Sequence, residues 1–291
     1  MAVAHDAVSE SHTGAVGSIS QASFNWSHVG AASGIDGVLV FVIGLVTADD
    51  DSTAVDYGGI ALAKVTGGFA VDTATEPMSC QTWFHGGLDI PQGTQTVTVS
   101  RNNNVNELYA VAITQTASVA GQICAVHEAG IVLLQGDGTL AEQSVTDGSP
   151  GTNSVRYAAA ASGLAAFPPT GASSTALHNF DTGNQTAAVV RETTAGQGAR
   201  NVGFASGTSD DRAVVHLAIK EVTPPVTLDQ AGFRGRNDDG SETTATWKAA
   251  ENTNWSQAVD ENLRVRLILD ETTGGDPAIA DYRLQYNLNS A

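Results

Sequence analysis

Seven histidines, four tryptophans, two cysteines and two short acidic clusters are the side chains through which this 291-residue chain could do chemistry. His5, His12, His28, His85, His127, His178 and His216 are scattered along it. No His-x-x-x-His or His–Glu pairing falls on a common element, so the spacing offers no metal site and no nucleophile–base pair. Asp49-Asp50-Asp51 and the Asp238-Asp239-Gly240-Ser241-Glu242 turn carry oxygens suited to calcium. Neither has the twelve-residue spacing of a dedicated calcium loop, and both read as solvated turns. Gly136-Asp137-Gly138 is a turn rather than a phosphate cradle, because no helix follows it. Ser162-Gly163 and Ser206-Gly207 lack the Gly-x-Ser-x-Gly setting of a nucleophile elbow. The paired carboxylates of a glycosidase are placed by the fold rather than by spacing, and nothing here singles out a pair. The expectation is a chain that is not an enzyme and has no cofactor and no metal.

The tryptophans bear on recognition instead. Trp26, Trp83 and Trp247 sit in strand patterns, and Trp26 and Trp247 are expected in the core. Trp255, in the polar stretch ENTNWSQ, is the candidate for an exposed glycan contact. Cys80 and Cys124 fall in or beside apparent strands, which leaves one disulfide or two buried thiols open.

The elements that must carry these residues are strands. TVTV at Thr96–Val99 alternates with period two, the asparagine-rich RNNNVNE turns, and LYAVAIT returns with apolar residues on both faces. A strand buried on both sides beside a half-exposed one implies stacked layers. Val38–Val46 is the most hydrophobic run, and its β-branched residues and flanking Gly37 make it a central strand. Further strands are expected at 18–29, 77–84, 130–135, 154–167, 175–180, 185–192, 201–206 and 212–222, separated by turn residues. Residues 1–17 are small and polar and read as a flexible N-terminal arm. Residues 18–222 read as a jelly-roll-like β-sandwich, 223–227 with Pro224-Pro225 as a linker, and 228–291 as a small β domain. In that domain LDQAGFRGRN, ATWKAA, NLRVRLILDE and YRLQYNLN are the expected strands. The fold class is all-β.

Charge limits the partners. Lys and Arg total 13 against 31 Asp and Glu, a net charge of -18, and charged residues are only 15% of the chain. So acidic a surface repels phosphate backbones, so nucleic-acid binding is not expected. The first fourteen residues have neither a basic region nor an apolar run, and no window approaches a membrane span. The expectation is no signal peptide, no membrane insertion and synthesis in a host cytoplasm.

VDYGGIALAKV, the Trp83-Phe84 strand, IPQGTQTVTVS and ELYAVAIT resemble a pattern of lectin-like jelly-roll domains in phage and bacterial surface proteins. FRGRNDDGSETTATWKAAENTN, RVRLILDETTG and YRLQYN resemble a small β module attached to phage structural and adhesion proteins. The resemblance implies a virion component, a capsid decoration or tail-associated protein. Its implied partners are other virion proteins such as capsid, and copies of itself, with a trimer favoured. It supplies no site residues. The rival reading is a carbohydrate-binding adhesion module that holds glycans at a surface.

Overall fold

The computed structural model describes residues 3–12, 23–45, 52–73, 77–101, 107–148, 154–164, 168–181, 185–224, 228–237, 244, 246–258 and 262–271. The Asp49-Asp50-Asp51 and Asp238–Glu242 clusters, the turn at 102–106, Pro225 and the YRLQYNLN stretch lie outside the described residues. The chain divides into two compact units, Met1–Val222 and Thr223–Ala291.

The principal strands of the first unit are β1 (Ala4–His12), β2 (Ser23–Val29), β3 (Gly37–Leu45), β4 (Ser52–Tyr57), β5 (Ala63–Asp72), β6 (Met78–Gly86), β7 (Thr94–Arg101) and β8 (Glu107–Thr116). They continue as β9 (Ile123–Val126), β10 (Val132–Gln135), β11 (Ser154–Ser162), β12 (Ser174–Asp181), β13 (Thr186–Glu192) and β14 (Arg212–Val222). All of their pairings are antiparallel, and they build an all-β sandwich of three sheets. The middle sheet runs β1–β8–β3–β6–β5. One flanking sheet runs β2–β7–β4, and the other runs β9–β14–β11–β13–β12 with β10 also on β14.

β3 shows why the middle sheet needs cover on both sides. All nine of its residues are buried. Leu39, Phe41 and Ile43 enter a core with Val155, Tyr157, Val189, Val215 and Leu217 of the β14 sheet. Val38, Val40 and Val42 enter a second core with Phe24, Val55, Val97 and Val99 of the β7 sheet. Period two has split a continuous apolar run between two layers. The alanine run of β11 works the same way: Ala159 and Ala161 face the first core, while Ala158 and Ala160 meet Leu140, Val145, Val202 and Phe204 on the outer side.

Three expectations are corrected. Residues 4–12 of the supposed arm form β1, paired with β8 from Ala4–Thr116 to His12–Tyr109, and Val3 is fully buried in the first core. Side-chain chemistry placed it there, because the polar residues of AHDAVSESH find partners across the sheet. The expected strand at 201–206 is Arg200–Val202, with Phe204 making one bridge to Thr170. Its apolar residues cover the outer face of the third sheet rather than extending one. ATWKAA is not a full strand, as Trp247 makes a single bridge to Arg236.

The second unit is built on β15 (Leu228–Asn237) and β16 (Leu263–Glu271), antiparallel with a bulge between Gln230 and Gly232. Residues 246–248 run beside β15: Asn237 N–H donates to Thr246 O (3.0 Å) and Lys248 N–H to Gly235 O (2.9 Å).

Candidate functional site

The structure brings a serine, a histidine and an aspartate into one hydrogen-bonded chain that spacing did not reveal. Asp6 is the extra residue of a bulge in β1, since His5 pairs with Gln115 and Ala7 with Thr114. Bulges re-aim side chains, and Asp6 Oδ2 accepts from Thr114 Oγ1 (2.8 Å) and from Ala31 N–H (2.9 Å). The Thr114 proton is thereby committed, so its oxygen accepts from His28 Nε2–H (3.1 Å). That fixes the tautomer and leaves His28 Nδ1 bare to accept from Ser9 Oγ (2.7 Å). Ser9 in turn accepts the indole N–H of Trp26 (2.8 Å).

Ser9–His28–Thr114–Asp6 has the contacts of a nucleophile and its base, yet its chemistry is that of a staple. Burial holds His28 below its ordinary pKa, against the pull of Asp6, so it is a weak base. The Ser9 oxygen is engaged by the indole. The chain ties β1 to β2 and β8, and Glu10 adds to it by accepting from Tyr109 O–H and contacting His178.

A second polar cluster lies in the third sheet. Arg156 is fully buried, with Nη1 3.0 Å from Glu192 Oε1 and Nη2 3.4 Å from Asp147 Oδ2. It also donates to the carbonyls of Val145 (3.0 Å), Gly196 (2.9 Å) and Gly198. Arg200 Nε reaches Glu192 Oε2 at 3.0 Å from the rim of an open depression of ≈ 560 Å³ lined by Ser173, Glu192, Thr193 and Asn201. Burial raises the Glu192 pKa, and the two arginines oppose the rise. Here too the charges join loops to the sheet.

Four more of the described histidines make other contacts. His5 lies 3.4 Å from Tyr157 Oη, and burial, with the Arg191 charge, lowers its pKa to about 4. His85 pairs with Asp89 (3.1 Å) at the surface. The His127 ring fills the space where a Cβ on Gly148 would stand. His216 is buried with Nδ1 3.2 Å from Val132 O, and burial lowers its pKa to about 4. Cys80 and Cys124 are both buried and free, and burial raises both thiols. Asp72, Asp137 and Asp211 bring carboxylate oxygens within 4.8 Å of one another, a grouping that joins β5, the β10–β11 connection and the residue before β14 and that spacing did not reveal.

The second unit places its two tryptophans on opposite faces of its sheet. A Cβ on Gly235 would lie 2.6 Å from the Trp255 ring, and the Phe233 ring lies tilted to it with centroids 6.1 Å apart, so Trp255 is half-buried on the apolar face. Trp247, expected in the core, is 38% exposed. The guanidinium carbons of Arg234, Arg236 and Arg266 stand 4.3, 5.0 and 5.9 Å from its ring centroid. The missed signal is the x-R-x-R alternation of FRGRN and LRVRL, which puts four arginines on one face of two paired strands.

Comparison with protein-family models, with curated proteins and with solved structures finds no match for this chain.

Proposed function

We propose that this chain is a non-enzymatic structural protein of a virion, a capsid decoration or tail-associated component that works as a homo-oligomer. The virion setting rests on the resemblance of its two sequence patterns. The physical support is the use to which the polar interior is put. Asp6, Ser9, His28 and Thr114 are the groups most like a catalytic array, and each is committed to holding an edge strand in place. Arg156, Asp147 and Glu192 do the same for the loops over the third sheet. A sandwich whose edges and loops are tied down by buried ion pairs and hydrogen-bonded chains serves as a rigid carrier on a larger particle. Neutral Ser, Thr, Asn and Gln surfaces are the expected contacts between copies, because the net charge of -18 opposes close approach of acidic ones.

Gold-labelled antibody raised against the purified chain, applied to intact particles in the electron microscope, tests the reading. Label at regular positions on capsid or tail is the expected result, and particles without label would refute it. Sedimentation across protein concentration, with and without calcium, is expected to show a trimer. A monomer at every concentration would remove the oligomer from the proposal.

A further inference from the structure

The strongest concentration of recognition chemistry lies on the second unit. Arg234 pairs across the strands with Arg266, and Arg236 with Arg264. In an antiparallel sheet, directly opposed residues share a face, as do residues two apart on one strand. The four arginines therefore leave one face of the sheet, their Cβ atoms about 5 Å apart across the strands and about 7 Å apart along them. They are four of the chain's ten arginines, gathered on one two-stranded sheet in a chain with 31 acidic residues. Like charges set directly opposite each other destabilise a sheet. Contacts with Trp247 and elsewhere in the chain offset part of that cost, and an anion laid across the two pairs would offset it further.

Trp247 completes the face. It bridges to Arg236, so its ring shares the arginine side, and it roofs Arg236, which is only 3% exposed. Arg234 also donates Nε–H to Ala249 O (3.1 Å). Ile268 shares the face and is 40% exposed. Glu251, among the described residues, borders it: a Cβ on Gly232 would lie 3.0 Å from Glu251 Oε1 and 3.3 Å from Ile268 Cδ1. Arg236, Arg264 and Arg266 keep other contacts within the chain, so the face offers shared donors. A guanidinium has five N–H groups and can serve two acceptors.

We propose that this arginine–tryptophan face binds an acidic saccharide, a sugar chain bearing carboxylates. Guanidinium forks fit carboxylates in two-point contact, and their charge is independent of pH in the working range. The exposed indole and Ile268 beside them match a ligand that is apolar on one flat face and anionic at its edge, which describes a uronic acid ring. A nucleic acid would offer phosphates and stacking bases, but a long polyanion meets the net charge of -18, which a short acidic sugar feels far less. The site is independent of a place on a virion, so immunogold labelling and sugar binding can fail separately.

The test is isothermal titration of the full chain with four probes: oligogalacturonate, its methyl ester, poly-glutamate and oligothymidylate. Oligogalacturonate is expected to bind, more weakly as salt rises, and the neutral ester to lose that binding. Arg266→Gln, at an exposed position, should weaken oligogalacturonate binding roughly tenfold, the loss of about one charge-assisted hydrogen bond. Trp247→Phe should keep most of the affinity and Trp247→Ala should lose it, with circular dichroism unchanged in Arg266→Gln as the check on folding. Equal binding of the ester, tighter binding of poly-glutamate or oligothymidylate, an Arg266→Gln variant that binds as the parent does, or no binding of oligogalacturonate would each overturn the proposal.

Discussion

Replacing Arg156 by methionine is the sharpest test of the idea that the buried charges hold the sandwich together. Methionine refills much of the volume with a flexible apolar chain, so the change removes charge and donors more than packing. What it leaves behind sets the magnitude. The Glu192 and Asp147 side chains are 2% and 1% exposed, and three backbone carbonyls lose a donor. Removing one partner of a buried ion pair costs about 3–5 kcal/mol. Arg200 still reaches Glu192, which places the expectation at the lower end, about 3 kcal/mol, or a fall in Tm of roughly 6–12 °C for a unit of this size. The loss should also depend on pH. Burial already holds the folded Glu192 carboxyl above its ordinary pKa, and removing Arg156 raises it further. A carboxyl whose folded pKa exceeds its unfolded one binds its proton more tightly when folded. The penalty is therefore full above the folded pKa and shrinks as pH falls through it. Urea unfolding followed by circular dichroism at pH 8 and pH 5 should show the larger deficit at pH 8. Arg156→Met/Glu192→Met should recover part of it. A loss below about 1 kcal/mol, or the same loss at both pH values, would refute the reasoning.

Two further outcomes follow from the same structure. Deleting residues 1–12 should lower the melting temperature of the sandwich markedly, because it removes buried Val3, the ladder to β8 and the partners of His28, Thr114 and Tyr109; an unchanged melting curve would mean β1 is dispensable. His5 and His216 fold as neutral groups with pKa near 4. The unfolded chain takes up their protons from about pH 6.5 downward, so stability is full above that and falls as pH drops toward 4. His216→Leu should flatten part of that slope in a series of thermal melts from pH 7 to pH 4, and an unaltered slope would remove His216 from the cause.

The layers were legible because they rest on period two and on β-branched runs. Val38–Leu45 and Leu108–Ile113 could only be satisfied by cover on both faces, and they received it. β1 was not legible, because its signal is polar. AHDAVSESH has little apolar surface, and its strand is held by Asp6, Ser9 and Glu10 reaching residues 19 to 168 positions away in sequence. Hydrophobic patterning does not register such partners.

The two tryptophans of the second unit carry the same lesson to the site. The polar flanks of Trp255 made it the exposed candidate and the strand pattern around Trp247 made that one core, and the burial came out in the other order. Flanking polarity ranks a residue by its neighbours in sequence, whereas a sheet ranks it by what stands opposite. Gly235 leaves a gap on the apolar face, and a large ring fills it whatever the polarity of ENTNWSQ. On the other face Arg234, Arg236 and Arg266 stand where a second ring would sink, so Trp247 lies across their guanidiniums at the surface. The alternation of arginine and apolar residues in FRGRN and LRVRL thus determined which tryptophan would be available to a ligand, and it did so through pairing between strands that no single window of sequence contains.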